Sequence, residues 1–199
     1  MNDRFEFIKD TPVRDLPFAI IDLETTGYAP PYAKITEISV ISLYSKPEVY
    51  IDTLVDPGVS IPREIVELTG IDNSMVKGKP KIDAIAEKIS ESLDNRIFVS
   101  HNVPFDLAFI KHVYANCLKR DFSVPSLCTL HLSRKYLKLP SNALGSVAKH
   151  LSITTTGAHR AMADTLTVKH LLHHFVEMFE GMGLKTGADL IKAGLIKAR

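Results

Sequence analysis

The stretch that most constrains the fold is 17–24, PFAIIDLE, in which apolar residues run without interruption up to two carboxylates. A continuous rather than alternating apolar run is typical of a strand that is buried on both faces. Such a strand needs a layer of structure on each side, which predicts a central strand in a layered α/β domain. Thr26 and Gly27 then have the composition of a turn and end the strand.

The segments that follow supply the rest of a mixed sheet. Residues 34–44 and 48–55 alternate apolar and polar side chains, and Ser45-Lys46-Pro47 between them predicts a hairpin beside the first strand. Apolar runs predict two further strands, at 97–100 and 126–130. Helical patterns predict helices at 61–68, 82–93, 104–117, 130–137, 143–150 and 161–179. The elements together predict an α/β fold with a mixed five-stranded sheet flanked by helices.

Length and composition favour one globular domain. The chain has 199 residues, 45% apolar and 24% charged, which predicts a domain at 17–180 with a lead-in at 1–16 and a tail or appendage at 181–199. No apolar run reaches the roughly 18 to 20 residues of a membrane span, and the charged N-terminus lacks a secretory signal. Two cysteines without metal-ligand spacing are expected to be reduced thiols. We therefore expect a cytoplasmic protein without a membrane partner.

The charge balance limits how the chain can bind a polyanion. Its 24 basic and 23 acidic residues give a formal net charge of +1, which excludes a protein that coats nucleic acid by bulk charge. Residues 111–138 nevertheless contain six basic residues and one acidic residue. The pairs Lys119-Arg120 and Arg134-Lys135 are candidates for phosphate contacts, although for any single lysine a solvated helix face is the better explanation.

The first chemical signal lies at the end of the central strand. Asp22 and Glu24 are two residues apart, so a strand projects both carboxylates from the same face. Like charges next to a buried apolar run either share a proton or bind a cation. Ligation by oxygen alone favours Mg²⁺ or Mn²⁺. The alternative is that the strand simply ends at the solvent edge with both groups hydrated.

Two later segments add carboxylates and a histidine. Asp106, in HNVPFD, lies in the first turns of a helix that follows a buried strand, where an acid can also serve only the helix dipole. His159 and Asp164, in HRAMAD, would lie about 140° apart on one helix, because each residue turns about 100°. We therefore place His159 on a loop that begins at Gly157, with Asp164 in the first turns of the next helix. The alternative is a helix start with exposed polar residues.

Taken together, these residues indicate one kind of chemistry. Four carboxylates, from two separate strand-to-helix junctions and a late helix, are what a two-metal phosphodiesterase needs to hold a phosphate and activate water. A histidine, whose side chain titrates near neutral pH, can take the proton from that water.

The segments DLETTG, HNVPFD and HRAMAD resemble, in order and spacing, the three motifs of the DEDD exonuclease superfamily. The spacing from His159 to Asp164 matches its histidine-bearing branch. The likeness is greatest to the epsilon proofreading subunits of bacterial DNA polymerase III and their stand-alone relatives. It covers 17–179, most of the chain.

The resemblance implies an RNase H-like fold and an activity. Asp22, Glu24, Asp106 and Asp164 would ligate two divalent ions, Mg²⁺ or Mn²⁺, and His159 would be the general base. The expected reaction is removal of nucleoside 5′-monophosphates from the 3′ end of single-stranded DNA, in proofreading or DNA repair. A DNA polymerase subunit is the protein partner that this resemblance implies.

The resemblance also implies substrate contacts. Thr25 would meet the terminal nucleotide, Leu68 and Ile71 would pack around the last base, and Asn102 and Phe105 would shape the pocket near the scissile phosphate. Core packing is the alternative role for Leu68, Ile71 and Phe105.

Two other functions stay open from the sequence. Exoribonucleases that trim RNA often have DLEMTG where this chain has DLETTG, so RNA is an alternative substrate. A module that binds nucleic acid or a polymerase without catalysis is the other alternative, although all five catalytic positions are filled. The chain also has Cys128-Thr129 where many relatives have an acidic residue, and its tail lacks a clamp-binding motif.

Overall fold

A mixed sheet forms the centre of the fold in the computed structural model, which describes residues 3–44, 50–155 and 159–198. The strands are β1 (Phe18–Thr25), β2 (Ile35–Leu43), β3 (Tyr50–Leu54), β4 (Ile97–Ser100), β5 (Pro125–Cys128) and β6 (Lys197–Ala198). Their order across the sheet is β3-β2-β1-β4-β5-β6. β1 is therefore central, antiparallel to β2 and parallel to β4.

All five predicted strands are confirmed, and the two-residue β6 adds an edge strand beside β5. The predicted hairpin is present, because β2 pairs antiparallel with β3 and Val40 lies opposite Ile51. Its predicted turn, 45–47, and the first two residues of the predicted strand 48–55 lie outside the described residues.

Helices cover both faces of this sheet. They are α1 (Arg63–Thr69), α2 (Asn73–Val76), α3 (Ile82–Leu93), α4 (Val103–Val113), α5 (Thr129–Tyr136), α6 (Leu144–His150), α7 (Ala161–Gly181) and α8 (Gly187–Lys192). The six predicted helices are confirmed, and a π-helical turn, Tyr114–Leu118, continues α4. Helices α2 and α8 are not among the predicted helices, and α2 has only four residues and begins at an Asp72 cap. None of the described helices has both the length and the apolar character to cross a membrane.

Alternate residues of β1 enter two different cores, as a strand buried on both faces requires. Ala19, Ile21 and Leu23 pack in the cluster that contains residues of α3 and α4. Phe18 and Ile20 pack in the other cluster, which contains residues of α6 and α7. Because the period of a strand is two, the side chains of even-numbered residues all lie on the α7 face.

The two ends of the described chain hydrogen-bond to each other. The amide of Val13 donates to Lys185 O at 2.9 Å, and the amides of Gly187 and Ala188 donate to Thr11 O and Lys9 O, both at 3.0 Å. We call this contact, between residues 9–13 and 185–188, the terminal bracket. The division into 1–16, 17–180 and 181–199 stays a prediction, and the bracket ties the outer two of these segments together.

Candidate active site

Two carboxylates project from the end of β1 toward helix α7. Asp22 and Glu24 have the same parity as Phe18 and Ile20, whose side chains pack in the α7 cluster. Both carboxyl side chains are half-buried, whereas the four residues before them are fully buried. The apolar residues of β1 therefore lie within the core, and Asp22 and Glu24 lie at its edge.

Helix α7 brings a third carboxylate to this pair. The helix begins at Ala161, so Asp164 lies in its first turn. One carboxylate oxygen from each of Asp22, Glu24 and Asp164 lies within 4.8 Å of the other two. Oxygen atoms from two separate elements thus converge at a distance that a single divalent cation can bridge.

The fourth acid comes from the helix layer on the opposite face of the sheet. Asp106 lies in the first turn of α4 and is only 4% exposed. The backbone amide of Leu23 acts on its carboxylate, and the charge of Asp106 is the largest electrostatic influence on Asp22. We call Asp22, Glu24, Asp106 and Asp164 the carboxylate cluster.

The acids of this cluster destabilise one another's charged forms. Burial raises the pKa of Glu24 to about 7, and repulsion from Asp164 adds to this effect. Burial also raises the pKa of Asp106 to about 7, although the Ser100 hydroxyl and the Leu23 amide act in the opposite direction. The pKa of Asp22 lies well above its usual range, first through burial and then through Asp106, and burial raises the pKa of Asp164. Bound divalent cations would relieve this repulsion, so the residues fit an oxygen-ligated metal site.

His159 lies on the loop side of the helix start, as the sequence predicted. It is exposed, precedes the first residue of α7 by two positions and has a φ of 62°, in the left-handed region. Its backbone amide donates to Asp164 Oδ2 at 3.2 Å. Gly157, at which the predicted loop begins, lies outside the described residues. The backbone of His159 is therefore anchored to Asp164, while its side chain is open to solvent.

Three of the residues proposed to bind substrate lie close in the chain to acids of the cluster, directly after Glu24 or at the start of α4. Thr25 follows Glu24 directly, and its hydroxyl donates to Gly27 O at 2.6 Å, which shapes the turn after β1. Asn102 is exposed at the cap of α4. Phe105 is half-buried and packs on Phe109, with 5.2 Å between ring centroids. Asn102 therefore offers its side chain to a ligand, while Phe105 does so only in part.

The other two proposed substrate residues differ in exposure. Leu68, in α1, is 55% exposed and free to contact a base. Ile71 is fully buried in a small cluster with Ile61, Ile65 and Val76. Packing against α1 and α2 covers the whole Ile71 side chain, which is the core-packing alternative, and its base contact stays a prediction.

One ion pair beside the cluster, between a buried glutamate and a partly exposed arginine, has no signal in the sequence pattern. Glu37 lies opposite Glu24 in the register of β1 and β2, and its carboxylate contacts Arg160, which directly follows His159. The stretch ITEISV shows only an alternating strand, in which a glutamate is expected to face solvent. A contact across 123 residues has no local pattern that could predict it.

Comparison with known proteins identifies the family of this chain. The family model RNase_T, described as an exonuclease family, matches residues 19–172, and the chain belongs to this exonuclease family. The family predicted from the three motifs is thereby confirmed.

Two relatives of the chain are bacterial DNA polymerase III proteins. It is 32% identical over 176 residues to the DNA polymerase III subunit epsilon of Aquifex aeolicus, covering 87% of this chain and 85% of the relative. It is 37% identical over 173 residues to the PolC-type DNA polymerase III of Clostridium perfringens. That match covers 85% of this chain but 12% of the relative, so the chain spans a small part of the PolC-type proteins.

Solved structures share the fold. One is Exonuclease X in complex with 5′ overhanging duplex DNA, with a TM-score of 0.62, 22% identity and coverage of 83% of this chain and 93% of the other. Another is E. coli Exonuclease I in complex with a dT13 oligonucleotide, with a TM-score of 0.68, 18% identity and coverage of 82% and 41%. The predicted RNase H-like exonuclease fold is confirmed.

Proposed function

We propose that this chain is a metal-dependent 3′-to-5′ exonuclease that removes nucleoside 5′-monophosphates from single-stranded DNA, in proofreading or DNA repair. The observation that carries the proposal is the convergence of Asp22, Glu24 and Asp164 within 4.8 Å, with His159 open to solvent beside them. Membership of an exonuclease family supports hydrolysis of a phosphodiester at a strand end.

The proposed roles follow from the position of each side chain. The carboxylate cluster would hold two divalent cations, Mg²⁺ or Mn²⁺, which when bound supply positive charge for the phosphate and lower the pKa of water. His159, on the solvent side, would take the proton as water attacks phosphorus, while the bond to the 3′ oxygen breaks and that oxygen leaves with the electron pair. Asn102 and Leu68 are exposed near the strand and helix ends that would face the terminal nucleotide.

The relatives support DNA as substrate and a polymerase as partner. The epsilon and PolC-type relatives are DNA polymerase III proteins, and the structural neighbours are described in complex with a dT13 oligonucleotide and with overhanging duplex DNA. We therefore propose a cytoplasmic role beside a DNA polymerase.

Digestion of end-labelled oligonucleotides tests the proposal. Single-stranded DNA labelled at its 5′ end should shorten stepwise from the 3′ end with Mg²⁺ or Mn²⁺ and remain intact with EDTA. The released product should be nucleoside 5′-monophosphate. RNA of the same sequence should be digested more slowly.

Other outcomes would replace the proposal by one of its alternatives. Early release of the 5′-labelled nucleotide would contradict the polarity, and faster digestion of RNA would indicate an exoribonuclease. Intact DNA and RNA with both metals would indicate a binding module. Asp164→Asn is the control that excludes a contaminating nuclease, because it changes one ligand of the cluster and should remove the activity.

A further inference from the structure

Glu37 and Arg160 form a clamp between strand β2 and the start of helix α7. Arg160 Nη2 donates to Glu37 Oε1 at 2.6 Å, and Arg160 Nε lies 3.1 Å from both carboxylate oxygens. The carboxylate is nearly inaccessible, with 3% of the Glu37 side chain exposed, whereas the Arg160 side chain is 45% exposed. A planar guanidinium on a carboxylate fixes orientation as well as distance.

The same carboxylate also caps the helix. The amide of Ala161, the first residue of α7, donates to Glu37 Oε2 at 2.9 Å. The first amides of a helix have no acceptor within the helix, and the side chain of the residue before it reaches only the second or third of them. Ala161 is the first residue of α7, and the side chain of Arg160 before it can only donate, so the Ala161 amide takes its acceptor from β2.

The clamp sits between the two halves of the candidate active site. On one side, Glu37 lies opposite Glu24 in the register that joins β2 to β1. On the other side, Arg160 and Ala161 lie between His159 and Asp164 in the chain. The position of the histidine and the third carboxylate relative to the β1 acids therefore depends on where this clamp holds the helix start.

A purely stabilising role explains the pair poorly. Only the Glu37 carboxylate of this pair is buried, and a buried charge can often be replaced by an apolar residue without loss of stability, because removing it from water is costly. A pair that fixes one geometry is useful where geometry limits the rate, since a displacement of about 1 Å can lower a rate by about 10²-fold.

We propose that Glu37 and Arg160 are positioning residues, which set His159 and Asp164 in register with Asp22 and Glu24. This proposal rests on the proposed function of the same site. It assigns the two residues no contact with substrate, so the rate of the chemical step should depend on them more than substrate binding does.

The test compares one substitution at each end of the same helix. Glu37→Leu removes both the clamp and the cap without leaving a buried charge unpaired. Glu180→Leu is the matched control, because Glu180 near the C-terminal end of α7 forms a two-contact pair with Arg14, at 2.7 Å and 2.8 Å. Glu37→Gln keeps an acceptor for the Ala161 amide and should restore part of the effect.

Glu37→Leu should lower kcat by about 10- to 100-fold with KM within about threefold of wild type. It should also weaken Mn²⁺ binding, measured by electron paramagnetic resonance without DNA. Glu180→Leu should leave kcat, KM and Mn²⁺ affinity within about twofold of wild type, and Glu37→Gln should fall between. Thermal unfolding of each variant reports whether it is folded.

Equal kcat and equal Mn²⁺ affinity in Glu37→Leu and Glu180→Leu would overturn the proposal. A raised KM with unchanged kcat would also overturn it, because Arg160 would then act by binding substrate. If Glu37→Leu does not fold, the same criteria apply to Glu37→Gln. A wild-type protein that binds Mn²⁺ but cleaves no DNA would refute the proposed function alone, since the Mn²⁺ affinities still decide the role of the clamp.

Discussion

Helix α7 has its two ends in opposite electrostatic environments. At its start, Asp164 faces other carboxylates, and burial raises its pKa. Near its end, Glu180 is paired with Arg14, and this hydrogen bond lowers the pKa of the glutamate. The start of the helix thus favours the protonated form of Asp164 in the absence of a cation. The end of the helix favours the charged form of Glu180 through its pair with Arg14.

The backbone shows the same contrast. Beside the start, His159 adopts a left-handed conformation and is exposed to solvent. Beside the end, the terminal bracket pairs amides and carbonyls of two distant segments, and Gly187 packs directly against the chain at Ile8. The proposed function places binding at the start of the helix, whereas the contacts at its other end join segments of the fold, which predicts that substitutions at the two ends change different properties.

The largest expected effect is at the start of the helix. Asp22→Asn should lower kcat by about 10³-fold or more, because charge stabilisation by a bound cation contributes several kcal/mol to the transition state. The same change should not lower the free energy of unfolding in EDTA at pH 7.5, since it removes a repelled buried charge. Rates on labelled DNA and thermal unfolding measure the two quantities. A stable variant with a near-wild-type rate would contradict the metal assignment.

His159→Ala should lower kcat by about 10²- to 10⁴-fold, the usual range for a lost general base. Because the side chain is exposed, the free energy of unfolding should stay within about 0.5 kcal/mol of wild type. The pH–rate profile should also change its shape, because the variant has no imidazole to accept the proton. An unchanged profile would count against His159 as the base.

At the other end, Gly187→Ala should affect stability alone. A Cβ at this position would lie 2.0 Å from the carbonyl oxygen of Ile8, so the bracket must move apart. We expect a loss of about 1–3 kcal/mol in the free energy of unfolding with an unchanged kcat for the folded protein. Gly145→Ala is the control, because its Cβ would meet no atom of the described chain within 4 Å and alanine favours its helix. Equal stability of the two variants would show that the bracket is not tightly packed.

The smallest effect is a pH dependence of the cluster in EDTA. A pKa near 7 for Glu24 in the folded chain means that the folded state retains a proton which the unfolded state releases near pH 4.5. The contribution of the Glu24 carboxyl to the free energy of unfolding is therefore fully present below about pH 4.5 and is lost as the pH rises toward 7. Glu24→Gln should match wild type in melting temperature at pH 4.5 and exceed it at pH 7.5.

This difference between variants removes the contribution of titrating groups outside the carboxylate cluster, whereas the loss of Glu24 also relieves repulsion on Asp22. Burial lowers the pKa of His101, His112 and His173, which reduces stability as pH falls below about 6.5 in both proteins. A constant difference in melting temperature across the range would mean that the Glu24 carboxyl is not perturbed.

The contrast also separates what a sequence pattern can predict from what it cannot. The strand at 17–24 and the helix start near Asp164 follow from local periodicity, and the structure has both. The clamp of Glu37 on Arg160 and the place of Gly187 against Ile8 each join segments more than 100 residues apart, so no local pattern encodes them. The family resemblance predicts that Ile71 contacts the substrate, yet packing with neighbouring apolar side chains buries it.

Direct titration of the protein with Mn²⁺, followed by electron paramagnetic resonance without nucleic acid, tests the central claim that the carboxylate cluster is a divalent metal site. The wild-type chain should bind two Mn²⁺ ions, His159→Ala should bind them with similar affinity, and Asp22→Asn should bind them at least about tenfold more weakly. Absence of Mn²⁺ binding by the wild type, or equal affinity in wild type and Asp22→Asn, would contradict the claim.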